Sequence, residues 1–334
     1  MPGSGLFRTT FQIEESINKI SYQSHALWTG SCFTENLGLW LQDHGVQSVV
    51  NPFGILYNPF SIYTSLKRII SGKKYDDSEL EFFNGKYISF DHHGRFSDIE
   101  RENVLTAINQ SLQEAQNIIR KGDWLFITFG TAAAFQKISS GKIVANCHKI
   151  PGTEFERIML PPEQMLNQWN DLIKEIKNIN SNLQIVFTLS PVRHWRDGAT
   201  ENHRSKSMLN SLIHNIIDKN DNCAYFPAYE LMMDDLRDYR FYAEDMIHPS
   251  EVAIGYIRER FLETYFEPKD LETLKKVKKI VKASLHRTED SNPEEVKTFL
   301  KNQLSALSGL KKHKNSPNLS HLEILFNYKL SKLL

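Results

Sequence analysis

The chain has 334 residues, enough for one large α/β domain with an appendage or for two modest domains. Lys+Arg and Asp+Glu cancel at 40 each, charged residues make up 24% and aromatics 11%, an ordinary globular profile with no electrostatic footprint for nucleic acid. No apolar run approaches the roughly 20 residues of a membrane span, Met1 to Arg8 lack the basic-then-apolar layout of a signal peptide, and Cys32, Cys147 and Cys223 are an odd, scattered set. The expectation is a cytoplasmic protein with free thiols and no disulfide framework.

In chain order, Ala26 to Cys32 reads as a strand, Phe33 to Asp43 as a helix and Gln47 to Phe53 as a second strand, followed by a helix over Pro59 to Ile70. Ser71 to Asp98 is polar and irregular. A helix from Ile99 to Arg120 then carries Val104, Ile108, Leu112, Ala115 and Ile119 on one face and stops at Gly122-Asp123. Trp124 to Phe129 and Leu183 to Leu189 are near-continuous apolar runs, as in parallel strands buried on both faces, with a helix over Pro162 to Asn178 between them. Helix Asn202 to Lys219, strand Cys223 to Phe226 and helix Ser250 to Phe266 complete five βα repeats. Such a pattern predicts an α/β fold of three layers, a central parallel sheet of about five strands with helices on both faces.

Two segments stand outside the repeats. Gln136 to Phe155, rich in Gly and Ser, reads as a hairpin or lid. From Glu267 onward 14 basic residues face 8 acidic ones, a change of charge that predicts a boundary near residue 266: a first domain over 1–266 and a basic helical tail over 267–334. In the tail Leu271, Leu274, Val277, Val281, Val296, Leu300, Leu304 and Leu307 recur at helical spacing, and its lysines read as a solvated face or as an arm for a protein partner.

Ligands of an open parallel sheet collect at the carboxyl ends of its strands, so the residues just beyond each strand carry the functional reading. They are Gly30-Ser31-Cys32-Phe33-Thr34, Asn51-Pro52-Phe53-Gly54, Gly130-Thr131-Ala132 and Ser190-Pro191-Val192-Arg193-His194; ahead of the last helix comes Asp245-Met246-Ile247-His248-Pro249-Ser250. A thiol at the start of a helix meets unpaired amides and the positive end of the macrodipole, which favour its nucleophilic thiolate. Asp245 and His248, three residues apart, fit a base with its orienting carboxylate. Arg193 and His194 are placed to hold a substrate carboxylate or phosphate, or an ion pair nearby. No Cys or His cluster has metal-ligand spacing; His92-His93 reads as structural, and neither a metal nor a cofactor is expected.

These segments, with Asn51-Pro52-Phe53-Gly54-Ile55-Leu56-Tyr57-Asn58-Pro59, Val144-Ala145-Asn146-Cys147-His148-Lys149 and Tyr239-Arg240-Phe241-Tyr242-Ala243-Glu244-Asp245, resemble the GSCFA family within the SGNH, or GDSL-type, hydrolase superfamily, over roughly residues 10 to 265. The resemblance implies a hydrolase or acyltransferase working through a covalent acyl-enzyme on an ester or thioester. The superfamily's strand runs into Gly-Asp-Ser, a register that lays the nucleophilic Ser on Cys32; a shift by one residue would lay it on Ser31. His248 is then the base, Asp245 its orienter, and Gly54 an oxyanion donor. Where the superfamily has Gly-x-Asn this chain has Gly130-Thr131-Ala132, so either Gly130, Thr131 or a nearby Asn58 or Asn146 stands in, or the hole is weaker, which leaves room for acyl transfer. Asn146 and His148 line the pocket with Asn58, Arg193 and His194. The implied substrate is a small-molecule or glycan ester, with an acyl-CoA as a possible donor; the alternative is a non-catalytic glycan- or acyl-binding module on the same fold.

Overall fold

A computed structural model describes residues 9–286, 292–312 and 315–333. Residues 1–8, read above for a targeting signal, lie outside it. The elements follow the predicted alternation with small shifts at their ends: β1 (His25–Gly30), α1 (Cys32–Asp43), β2 (Gln47–Val50), α2 (Pro59–Ser71), β3 (Glu81–Phe83), β4 (Lys86–Ile88), α3 (Arg101–Lys121), β5 (Trp124–Phe129), β6 (Ala133–Lys137), β7 (Ile143–Val144), β8 (Phe155–Met159), α4 (Pro162–Ile179), β9 (Gln184–Leu189), α5 (Gly198–Ile217), β10 (Cys223–Tyr225), the single turn α6 (Ala228–Glu230), α7 (Glu251–Tyr265), α8 (Pro268–Ser284), α9 (Pro293–Lys311) and α10 (Ser320–Ser331).

The central sheet is parallel, in the order β10-β9-β5-β1-β2. Its register sets Gly30 beside Thr128 and Phe129 beside Leu189, so β1, β5 and β9 end level with one another. The strands are apolar on both faces because both are covered. Leu27, Leu125, Ile127, Phe129, Ile185 and Phe187 join a core with residues of α2, α3, α4 and α5. On the opposite face Trp28 stacks on Phe126 at 3.9 Å between ring centroids, and Phe261 of α7 packs edge-on against Phe126. Expectation and structure agree on three layers.

Local chemistry sets the helix ends. Asn58 caps α2 by accepting the Ser61 amide at 2.8 Å, Pro59 occupies the first turn, where a missing N–H costs nothing, and Gly72 closes the helix at φ 64°. Within the stretch read as irregular, Asn84-Gly85 (φ 49° and 79°) makes the tight turn of the β3–β4 hairpin, the dipeptide suited to that geometry. The expected hairpin or lid is a three-stranded antiparallel sheet in the order β7-β6-β8, extending to Met159.

The described residues divide into two compact units, one of 9–13, 26–38 and 49–261, the other of 14–25, 39–48, 262–286, 292–312 and 315–333. The second unit therefore takes in two short segments that precede the tail. Val277, Ile280, Val296, Leu300, Leu307, Leu310, Leu322 and Phe326 of α8, α9 and α10 form its core, with Val281 and Leu304 packed against them, which accounts for the helical spacing of the tail. No described helix is long and apolar enough to cross a membrane.

Gly30 has φ +138°, and a Cβ there would lie 2.3 Å from the Thr128 carbonyl oxygen. Gly30→Ala is expected to lower unfolding free energy by about 3 kcal/mol, whereas Gly309→Ala in α9, with nothing within 4 Å, should raise it by about 0.5–1 kcal/mol. Urea denaturation of the two variants checks both signs.

Candidate functional site

The turn after β1 is tied down from two sides. The Gly30 amide donates to Asn51 Oδ1 at 2.9 Å, and the Leu56 amide donates to the Gly30 carbonyl at 2.9 Å. Asn51, just past β2, adopts φ 45°, a conformation Asn tolerates better than most residues, and is fully buried. Ser31 and Cys32 then part company. Ser31 is 1% exposed with its Oγ buried and unpartnered, while Cys32, the first residue of α1, is partly exposed.

The Cys32 thiol is raised above its ordinary range, contrary to the expectation from its place at a helix start. Burial is the largest influence; the amides of Phe33 and Cys32 itself pull in the other direction, Glu35 raises it and Lys206 lowers it. The helix terminus acts as predicted, but desolvation of the charged form outweighs it.

Asp245 and His248 are joined as the spacing predicts. Met246 takes φ 57° between them, and the Ala243 amide donates to the His248 carbonyl at 2.7 Å, closing a compact loop ahead of α7. Asp245 Oδ1 accepts the amides of Ile247 and His248, each at 2.9 Å, and Oδ2 lies 2.6 Å from His248 Nδ1. Those bonds, the His248 amide first, hold the Asp245 carboxyl down at about 2, so it is ionised at any working pH. A carboxylate can only accept, so Nδ1 carries the hydrogen and Nε2 keeps a lone pair for a proton. Among the described residues neither Cys32 nor Ser31 is hydrogen-bonded to His248.

The expected oxyanion donors are already engaged. The Gly54 amide donates to the Asn51 carbonyl at 2.7 Å, in a turn where a Cβ would strike His93 at 2.1 Å. The amides of Gly130 and Thr131 both donate to the Tyr57 carbonyl, at 2.8 and 3.0 Å, and Thr131 Oγ1 pairs with Ser205 Oγ. Asn58 is spent on Ser61, through both Oδ1 and Nδ2. Asn146 Oδ1 accepts the His148 amide. Among the described residues Asn51 Nδ2 is buried and unpartnered, and the first amides of α1, which a helix leaves outside its own ladder, point to the Cys32 thiol.

Around this turn the predicted binding residues separate. Asn58, Asn146 and His194 line a cavity of about 490 Å³ with Tyr57, Cys147 and Arg157, floored by the β6 strand. Arg193 faces a different cavity of about 450 Å³, beside Asp245, Met246 and Ile247, where its guanidinium reaches Met233 Sδ at 3.3 Å. His148 belongs to neither wall, and among the described residues Arg193 makes no ion pair; the His148 ring donates from Nε2 to the Ser89 carbonyl at 2.8 Å, and its backbone takes φ 49°. His194 packs edge-on against Tyr57, and burial, then Lys206 and Arg157, lower it to about 4. The charge of His248 also bears on His194.

Sequence reading missed Lys206. It is 2% exposed, and its Nζ donates to the Gly130 and Ser190 carbonyls, at 2.8 and 2.7 Å, across the ends of β5 and β9. A signal existed: Asn202, Ser205, Lys206, Leu209, Ile213 and Ile216 fall at helical spacing on the buried face of α5, which places a lysine in the core stripe. Among the described residues no group of three or more His, Cys, Asp or Glu is arranged to hold a metal.

The model of one protein family, the GSCFA family, matches residues 25–261, from β1 into α7. The chain belongs to the GSCFA family. Within that GSCFA region lie the β1 turn, the Asp245–His248 loop and Lys206, while α8, α9 and α10 fall beyond it. No curated protein matches the chain. Of solved structures, a family 3 carbohydrate esterase of Clostridium thermocellum is similar at 11% identity, with 76% of this chain and 98% of that one covered and a TM-score of 0.32. A carbohydrate esterase family 3 protein from Talaromyces cellulolyticus is similar at 7% identity, with 48% and 67% covered and a TM-score of 0.25.

Two imidazoles are held neutral by burial, His194 at about 4 and His92, stacked on Phe53, at about 3. The unfolded chain's histidines take up protons near pH 6.5, so folding stability is full above that pH and is lost as pH falls towards 4. Urea midpoints measured from pH 7 to pH 4 should fall, more gently in His194→Gln; NMR titration of His194 should place its midpoint near 4.

Proposed function

We propose that this GSCFA protein is a hydrolase or acyl-transferring enzyme that cleaves an ester or thioester through an acyl-enzyme on Cys32. The observation that carries the reading is the Asp245–His248 pair: a carboxylate at 2.6 Å from Nδ1 fixes the tautomer that leaves Nε2 as a base. Accessibility selects the nucleophile, since Cys32 is partly exposed and Ser31 is not. The family resemblance supplies the pairing of this turn with this loop.

In this mechanism Cys32 Sγ attacks the substrate carbonyl carbon as His248 Nε2 takes the thiol proton, and Asp245 stabilises the imidazolium. The oxygen of the tetrahedral intermediate is met by the amides at the start of α1, in place of the donors that Gly54, Gly130 and Thr131 have committed elsewhere. The bond to the leaving alcohol or thiol breaks, and His248 returns the proton to it. Water or an acceptor hydroxyl then attacks the acyl-cysteine, with the proton passing again through His248, and Cys32 is regenerated. The 490 Å³ cavity with Tyr57, His194 and Arg157 is of a size for a small-molecule or single-sugar ester.

Hydrolysis of p-nitrophenyl acetate and of acetylated monosaccharides tests the proposal. Cys32→Ala and His248→Ala should each lose activity by about a thousandfold or more, while Ser31→Ala keeps it within about tenfold. Mass spectrometry should find an acyl adduct on the Cys32 peptide. Full activity in Cys32→Ala would refute the mechanism; tight binding of acylated sugars with no turnover in the wild type would select the binding-module reading.

A further inference from the structure

Lys206 is a buried amine with no carboxylate partner among the described residues. Its ammonium satisfies two protons on the Gly130 and Ser190 carbonyls, and its third points to no described acceptor. Among the described residues no carboxylate lies within ion-pairing distance of it, and Tyr229 offers only its ring, 5.8 Å away. Placing an ammonium in a protein interior costs several kcal/mol unless a counter-charge compensates it. Gly30 is registered on Thr128 of the adjacent strand, and Cys32 and Gly130 each lie two residues further on, so the carbonyl that holds Lys206 and the thiol-bearing turn leave neighbouring strand ends together; Cys32 accordingly favours the charged form of Lys206, and Arg193 opposes it. Cys32 in turn feels Lys206 as a favourable cation, and Glu35 as an unfavourable anion that Arg95 engages at 3.2 Å. Tyr57, itself raised chiefly by burial and then by Cys32 and Glu35, completes the titratable surroundings of the thiol.

We infer that Lys206 is a positioning residue of the active site, the buried counter-charge that makes the Cys32 thiolate attainable inside the fold. The inference deepens the proposed mechanism and rests on its choice of Cys32. It gives the lysine the partner it lacks in the resting protein: the ammonium, held by carbonyls at the ends of β5 and β9, is left uncompensated until the thiol gives up its proton. It also answers the difficulty raised by burial, which disfavours the thiolate; an ammonium held nearby offsets that desolvation, and the thiolate in turn offsets that of the ammonium. With burial holding it down to about 7, Lys206 keeps its proton best where Cys32 supplies the compensating negative charge.

The test reads Cys32 itself and not turnover. The rate of iodoacetamide alkylation of Cys32, followed by peptide mass spectrometry from pH 5 to pH 10, should fall about tenfold at pH 7 in Lys206→Met, with the midpoint about one pH unit higher; Lys206→Arg, which keeps the cation, should restore part of it. Unchanged profiles in a folded Lys206→Met protein overturn the inference. If that variant does not fold, ¹⁵N NMR of the lysine ammonium decides: Lys206 should titrate at lower pH in Cys32→Ser than in the wild type, and identical midpoints overturn it. Failure of the mechanism is seen separately, as retained esterase activity in Cys32→Ala, whatever the alkylation profiles show.

Discussion

Everything at the site depends on how closely β1 lies against β5 at their carboxyl ends. Gly30 stands beside Thr128 with no room for a Cβ, its amide held by Asn51 and its carbonyl by Leu56. That contact ends the strand and starts α1 within two residues, so Ser31 turns inward and Cys32 emerges on the first turn of the helix. A side chain at position 30 would push the strands apart and move the thiol with them. The register of the sheet is thus also the register of the chemistry.

The same closeness explains why the polar groups around the turn are used as they are. Strand ends in a parallel sheet leave amides and carbonyls without ladder partners, and burial obliges each to find another. Tyr57's carbonyl takes the amides of Gly130 and Thr131, and the Gly130 carbonyl takes Lys206. The two amides that a motif would assign to an oxyanion hole are thereby consumed by the architecture, as the Gly54 amide is by the Asn51 carbonyl. What is left over, the leading amides of α1 and the amide nitrogen of Asn51, lies around the thiol-bearing turn.

Charge follows from burial in a similar way. Asp245 and His248 sit at the surface, where backbone amides rather than desolvation govern the carboxylate. Cys32, Lys206 and His194 lie deeper, and each is pushed towards its neutral form chiefly by loss of water. A thiol and an amine that both resist ionising when alone become mutual counter-ions when together. The contrast divides these residues into a solvated pair and a more buried set.

Much of this was legible in the sequence. The strand and helix alternation, the turn at Gly30-Ser31-Cys32 and the Asp245–His248 spacing are local patterns, set by side-chain periodicity and by hydrogen bonds across three residues, and they read correctly from the chain alone. The β3–β4 hairpin was not read: Ser71 to Asp98 reads as irregular, because strands of three residues are too short for alternation to show, although Asn84-Gly85 marks the turn. What the sequence did not determine is which groups are already spoken for. Whether the Gly54 or Gly130 amide is free depends on carbonyls at Asn51 and Tyr57; whether Ser31 or Cys32 is reachable depends on the packing above β1; and the role of Lys206 depends on strand ends more than fifteen residues away in either case. Periodicity is a property of neighbours along the chain, whereas partnership and burial belong to neighbours in space, and only the assembled sheet decides those.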